Sequence, residues 1–296
     1  MNAISSAIKT IKQRAIRLLP QGLRNALSIQ LDKRRLGAIP GRTCPAAPLR
    51  RGVDAESLGQ VFLSKEVESE WPEVEREISS LAITEQVGGV NPGDRRAIYF
   101  LIRHFRPRSV LEIGTHIGAS MVPITAALRR NRQQDQGKPY RVTAVDIVDV
   151  NDEKTQPWRA YGSRYSPKEM LAKMGAADLV TFVVQPSLEY FSICNQRYDF
   201  IFLDGDHAGK TVYQELPAAL RLLNEGGVVL LHDYFPGLRP LWPDGVVIPG
   251  PWLATTRLRS EGAALQILPM EELPWPTKQG TMITSLAMIV APSAGE

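Results

Sequence analysis

Cysteine is nearly absent: Cys44 and Cys194 are the only two in 296 residues. They lie far apart, and no CxxC or Cys/His spacing accompanies them. A disulfide framework and a cysteine–histidine zinc site are thereby excluded, and both side chains read as reduced thiols of a cytoplasmic protein. No apolar run reaches the roughly 18–20 residues that cross a bilayer. The opening MNAISSAIKTIKQRAIRLLPQG is basic but has no continuous apolar stretch, so it does not read as a secretory signal. No internal repeat is present. Acid is missing from one region in particular. Up to residue 52 there are eleven lysines and arginines and a single carboxylate, Asp32, a local charge of +10. The net charge of the whole is +4, so the remainder carries −6. The basic character belongs to the extension, and no nucleic-acid partner is expected from it.

What is there divides in two. Residues 1–55 read as a basic helical extension and linker, and residues 56–296 as one domain with a helical lead-in over 56–87. In the extension, Ile4, Ile8, Ile11 and Ala15 recur at helical spacing among basic residues. Pro20 and Gly22 interrupt that pattern, and a second basic helix is expected from Leu23 to Arg35. Residues 38–55 are rich in Pro, Gly and Arg, as linkers are. From Asn91 onward, apolar strands alternate with helices. Strands are expected at 109–114, 142–148, 179–184, 199–204 and 227–233, and two later runs, ALQILPM and SLAMIVA, complete the set. Asn91-Pro92-Gly93-Asp94 reads as a turn and helix cap, and helices are expected near 95–105, 119–130, 167–174, 187–194 and 208–224. Near-continuous apolar strands separated by helices indicate an α/β fold, a mostly parallel sheet covered on both faces.

Three constellations sit at predicted strand ends, where open α/β sheets bind ligands. The first is VLEIGTHIGAS, in which Glu112 closes a strand and Gly114 and Gly118 allow a tight turn. Its spacing is neither the G-x-G-x-x-G of nicotinamide enzymes nor a phosphate-binding P-loop. The second is Asp146, at the tip of VTAVD, where a ribose finds acceptors for its hydroxyls. The third joins FLDGDH to LLHDY, which brings Asp204 toward His232 and Asp233 as candidate ligands for a divalent cation. Asp206 and His207 stand just beyond, able to take a proton. Each has a structural alternative: loop glycines, a turn-capping aspartate, a satisfied histidine at the sheet rim.

Together, EIGTHIG, Asp146, FLDGDH and GGVVLLHDY resemble class I S-adenosylmethionine-dependent O-methyltransferases, closest to methyltransferase family 24 and its sugar- and catechol-type relatives. The resemblance covers about residues 90–290. It implies a Rossmann-like seven-stranded sheet of order 3-2-1-4-5-7-6 with strand 7 antiparallel. It also implies S-adenosylmethionine as cofactor, held by Glu112, Gly114, Thr115, Gly118, Asp146, Ser187 and Asp204. The metal positions of such relatives fall on Asp204, His232 and Asp233, and the base on Asp206 or His207. His232 stands where those relatives carry an aspartate, which favours a transition metal over Mg²⁺, or a metal-free site with His232 as base.

The implied reaction is methyl transfer to a hydroxyl of a small molecule or saccharide. Two alternatives remain at this stage, an N-methyltransferase and a non-catalytic binding or assembly module. Two segments that follow strand ends, 149–166 and 234–260, are expected as lids. Their aromatic residues, Trp158, Tyr161, Tyr165, Tyr234, Phe235, Trp242 and Trp252, either stack on an acceptor or pack the lids themselves. The basic N-terminus is a candidate for peripheral membrane contact, for docking on a partner or a second copy of the chain, or for packing on its own acidic body.

Overall fold

The computed structural model describes residues 19–84, 89–136 and 138–292. The helical pattern of Ile4, Ile8, Ile11 and Ala15 lies outside the described residues. Three helices come first: α1 (Gln21–Gly37), α2 (Ala55–Val61) and α3 (Lys65–Ser80). The alternating body follows: α4 (Pro92–Phe105), β1 (Ser109–Ile113), α5 (Met121–Gln134), β2 (Arg141–Asp146), α6 (Pro157–Ala160), α7 (Pro167–Lys173), β3 (Val180–Val184) and α8 (Ser187–Ile193). It closes with β4 (Tyr198–Leu203), α9 (Gly209–Leu220), β5 (Leu223–Leu231), α10 (Gly250–Ser260), β6 (Gln266–Pro269) and β7 (Ala287–Val290).

The strands form one sheet of order β3-β2-β1-β4-β5-β7-β6, as the resemblance implied. β1 to β5 run parallel, and β7 runs antiparallel between β5 and β6. Every residue of β1 is buried. Alternate side chains feed two cores. Val110 joins α4, α5 and α7 on one face, while Leu111 and Ile113 join α9 and α10 on the other. Covering both faces is what lets the strands be apolar throughout.

Register positions the functional edge. Ile113 pairs with Leu203, and Leu203 with Leu231. The next residues, Gly114, Asp204 and His232, therefore emerge side by side. Backbone bonds continue past the strands at that level, from Asp204 N to the Ile113 carbonyl (2.9 Å) and from His232 N to the Leu203 carbonyl (3.2 Å). Helix ends are set by local chemistry. The Asn91 side chain accepts from Asp94 N with Pro92 in the first turn of α4, and Ser166 and Glu169 form a reciprocal capping box on α7.

Two expectations need correction. The 234–260 segment is no simple lid. Its second half is α10, packed against α9, with Leu253, Ala254 and Leu258 in the core. Of the candidate stacking aromatics, Trp158, Tyr234, Phe235 and Trp242 are all buried. Phe235 meets Trp242 edge-on at 5.6 Å, so these rings pack the protein itself.

The extension, for which packing on its own body was one of the readings the sequence left open, is sewn into the body along residues 21–50. Leu36 and Leu49 join the core. Pro48 and Arg50 bond to the backbone at Gly226 and Gly227, and Ala291 N bonds to the Arg50 carbonyl. Arg257 on α10 donates to the Leu36 and Ile39 carbonyls. Asp32 accepts from Gly209 N at 2.9 Å and so caps the N-terminus of α9 from outside it.

Candidate active site

The β1–α5 turn is shaped by close approach. Gly114 has φ +91°, and a Cβ there would sit 2.3 Å from the Asp204 carbonyl oxygen. No other residue type fits. Gly118 has φ +79°, and its missing Cβ would lie 3.1 Å from Pro167. Between them His116 holds φ +48° and packs its ring 4.2 Å from that of Tyr161.

Asp146 fastens this turn. Its Oδ2 accepts from Thr115 N (3.0 Å) and His116 N (2.9 Å), and its Oδ1 accepts from Val148 N (2.9 Å). A carboxylate offers about four acceptor positions, so about one remains for a ribose hydroxyl. Glu112 lies beneath the turn, with no exposure at all. Its Oε1 accepts the Ser120 hydroxyl at 2.6 Å. Burial, with the charges of Asp204 and Asp146 behind it, pushes its carboxyl up to about 8 against the Ser120 bond. Among the buried polar atoms around the turn, His116 Nδ1 has no hydrogen-bond partner among the described residues.

Beside the turn opens a cavity of 460 Å³, a volume suited to a nucleoside-sized ligand. Gly114, His116, Asp146 and Ile147 line one side, and Gln185, Pro186 and Ser187 another. Asp204, Gly205, Asp206 and His207 line the side toward β4. Of the residues expected to hold a cofactor, Gly114, Asp146, Ser187 and Asp204 reach this lining, whereas Glu112, Thr115 and Gly118 build the turn beneath it. Sequence reading missed Glu215. It is 2% exposed on α9, lines the cavity and accepts the Ser187 hydroxyl. Burial pushes its carboxyl up to about 7, with Ser187 opposing and Asp206 reinforcing the shift. Its one sequence signal is an acid amid the apolar spacing of α9, which does not distinguish a cavity wall from a solvated face.

At the β4 and β5 ends the four predicted polar side chains converge. His232 Nδ1 lies 2.9 Å from Asp204 Oδ1 and 3.6 Å from Asp233 Oδ1. His207 Nε2 lies 3.3 Å from Asp233 Oδ2 and 3.6 Å from Asp204 Oδ1. On its other side His232 Nε2 faces Asp94 Oδ2 at 3.5 Å. Burial works against charge on His232, but Asp204, Asp233 and Asp94 outweigh it and hold the ring well above its ordinary value. In sequence Asn91-Pro92-Gly93-Asp94 has the form of a turn and helix cap. Asp94 takes part in that cap, through Asn91, but it is also fully buried and bonded to the Thr284 hydroxyl at 2.6 Å.

Ligand atoms of Asp204, His207 and His232 lie within 4.8 Å of one another and could share a metal ion. This set takes in His207 where the sequence reading had Asp233. The backbone of Asp233 is left-handed, φ +54°, and its Oδ1 meets the Ser285 hydroxyl at 3.4 Å. Asp206 is committed elsewhere: one oxygen accepts from Ala208 N (3.1 Å) and the other from the Thr211 hydroxyl (2.6 Å), bracing the start of α9.

A second cavity, of 400 Å³, shares Gly205, Asp206 and His207 with the first. Its outer wall comes from Ser28, Leu31, Asp32 and Arg35 of α1 and from Val247, Ile248 and Pro249. His207 thus stands between two cavities.

Residues 111–234 match a family model described as a methyltransferase domain, Methyltransf_24. Among solved structures, the chain is similar to the O-methyltransferase TomG from Streptomyces achromogenes, involved in tomaymycin synthesis and determined with S-adenosylmethionine. The identity is 17% over 82% of this chain and all of that one, with a TM-score of 0.49. It is similar also to an O-methyltransferase from Bacillus cereus in complex with S-adenosylhomocysteine, at 16% identity over 80% of this chain and 96% of that one, with a TM-score of 0.48. The comparison with curated proteins gave no match.

Proposed function

Because the chain carries a Methyltransf_24 methyltransferase domain over residues 111–234, we propose that it is an S-adenosylmethionine-dependent methyltransferase acting on a hydroxyl of a small molecule or saccharide. The observation that carries this reading is the position of His207. It lines the cavity formed by the glycine turn, Asp146 and Ser187, and it also lines the cavity beyond. One imidazole therefore faces both a site for a methyl donor and a site for an acceptor.

The residues present fit the cofactor. His116, in the cavity wall, has a buried Nδ1 with no partner among the described residues, and Gly114 lets the backbone approach closely. Asp146 has an acceptor position left for a ribose hydroxyl, and Ser187 with Glu215 offers polar atoms at the other end of the cavity. When bound, S-adenosylmethionine supplies an electrophilic sulfonium methyl that needs no further activation. The protein's task is to align an acceptor and remove its proton. With Nε2–H of His207 given to Asp233, its Nδ1 is the nitrogen that takes the proton, and Asp204 stabilises the imidazolium that results. Titration with S-adenosylhomocysteine in a calorimeter tests cofactor binding. Absence of heat at millimolar ligand would sink the reading.

One observation favours a second reading of the same site. Two imidazoles and a carboxylate form a donor set suited to a divalent transition metal rather than to Mg²⁺. Asp204, His207 and His232 would hold such an ion, which would supply Lewis-acid polarisation of the acceptor oxygen. A chelator separates the two readings. Turnover that survives it supports the His207 base, and turnover lost and restored by one metal supports the ion.

A further inference from the structure

Helix α1 presents two faces of unusual character. The face toward the body buries Asp32 and Leu36, and Asn25 donates to the Gly245 carbonyl. On the opposite face Leu23, Leu27 and Leu31 recur every four residues and are 53%, 43% and 47% exposed. At 100° per residue, Arg34 falls between Leu23 and Leu27 on that face, and Arg24 and Arg35 fall at its edge. Asp32, the single acid of the first 52 residues, is turned inward onto Gly209 N. The outward face therefore combines a leucine stripe and arginines with no carboxylate. A surface helix ordinarily turns its large apolar side chains toward the body and its polar ones toward water. Here Leu23 and Leu27 point away from the body, and Leu31 stands at the rim of the second cavity.

We propose that this face docks on an anionic lipid bilayer, with α1 lying in the plane of the interface. Its 17 residues span about 25 Å. No helix among the described residues is long and apolar enough to cross a membrane, so the helix rests on the surface. Charge complementarity selects the occupant. Helix α1 carries Arg24, Lys33, Arg34 and Arg35 against the single, inward-turned Asp32, so an anionic surface attracts this helix. The arginine stems lie along the acyl boundary while their guanidinium groups stay among the headgroups. A second copy is a poorer cover, because it would bring two basic extensions of +10 together. Leu31 and Arg35 also wall the cavity that reaches His207, so docking sets the mouth of that cavity at the lipid surface. The proposal stands independently of the methyl-transfer reading.

The test is sedimentation of the full-length protein with vesicles of phosphatidylcholine alone or mixed with phosphatidylglycerol, at low and high salt. Binding is expected only to the mixed vesicles and is expected to fall with salt. Replacing Leu23 and Leu27 together by glutamine should weaken it at least about tenfold, and Arg34→Gln about fivefold, the equivalent of about 1 kcal/mol per basic residue. Since these side chains face water, thermal melting and cofactor binding should stay as in the parent. No binding to mixed vesicles at low salt overturns the proposal, as does undiminished binding by the leucine variant. A dimer that the leucine variant dissolves, with no vesicle binding by the parent, would assign the face to a second copy.

Discussion

The glycine turn after β1 and the histidine–aspartate cluster after β4 and β5 occupy the same sheet edge, yet they use their acids in opposite ways. At the turn the acids serve the protein. Asp146 gives three of about four acceptor positions to backbone N–H groups, and Glu112 is sealed under Ser120. At the cluster Asp204 and Asp233 face imidazoles, and Asp204 also lines the first cavity. The backbone explains the difference. A turn between strand and helix leaves N–H groups without partners, and a carboxylate on the neighbouring strand is drawn to them. Asp204 and His232 leave adjacent strands in register, where the ladder already satisfies their backbone, so their side chains remain available for chemistry.

The largest effect expected from breaking this contrast lies at His207. His207→Ala should lower the methyl-transfer rate by about 10²–10⁴-fold, the usual contribution of a general base. Calorimetry should find cofactor affinity nearly unchanged. If both fall together, His207 is holding the cofactor cavity rather than acting on the acceptor.

Next is the pH dependence of stability, which separates the turn from α9. Glu112 and Glu215 both have raised carboxyls, so the folded state holds a proton that the unfolded state has released. Each contribution is fully present below the unfolded value near 4.5. It is lost as pH rises through the folded value, about 8 for Glu112 and about 7 for Glu215. Urea unfolding should show stability falling across that window by roughly 3–5 kcal/mol for each group. Glu215→Gln should remove the part of the fall that ends near pH 7, and Glu112→Gln the part that continues to pH 8. A flat profile in the parent protein would contradict both.

A smaller change is expected at Asp146. Asp146→Ala frees the N–H groups of Thr115 and His116 and should weaken cofactor binding by about 1–3 kcal/mol. It should also destabilise the unliganded protein, which distinguishes a fastener of the turn from a pure ribose ligand. Equal melting temperatures with weakened binding would favour the ribose role alone.

The smallest effect is expected at Asp206, the other base candidate in the sequence. Since both its oxygens are bonded at the start of α9, Asp206→Ala should cost about 1 kcal/mol of stability and leave the rate of transfer within tenfold. A rate loss matching that of His207→Ala would restore Asp206 to the reaction.

Much of this was legible in the chain alone. The strand and helix series from residue 91 onward matches the observed elements closely, because period-2 and period-3.6 apolar patterns record which faces are covered. The glycine turn and the strand-end acids were visible because both depend on local backbone chemistry. Helix α10 was missed, since it is buried on a broad front and opens with Gly250-Pro251, which reads as a loop. Asp94 and Glu215 were missed because a helix-capping acid or a helix-borne acid has the same local appearance whether it meets water or a histidine.

By itself, then, the sequence determined the order and type of the elements, the placement of acids and histidines at strand ends, and the charge imbalance between extension and body. Only the tertiary structure decided which of those groups remain free. That choice depends on strand register, on the 2.3 Å approach that excludes a side chain at Gly114, and on which donors Asp146, Asp206 and Asp32 meet across the fold. Hydrogen bonds and burial between residues distant in the chain have no counterpart in local pattern. The same carboxylate is therefore a fastener, a cap or a catalytic partner according to what folding brings within about 3 Å of it.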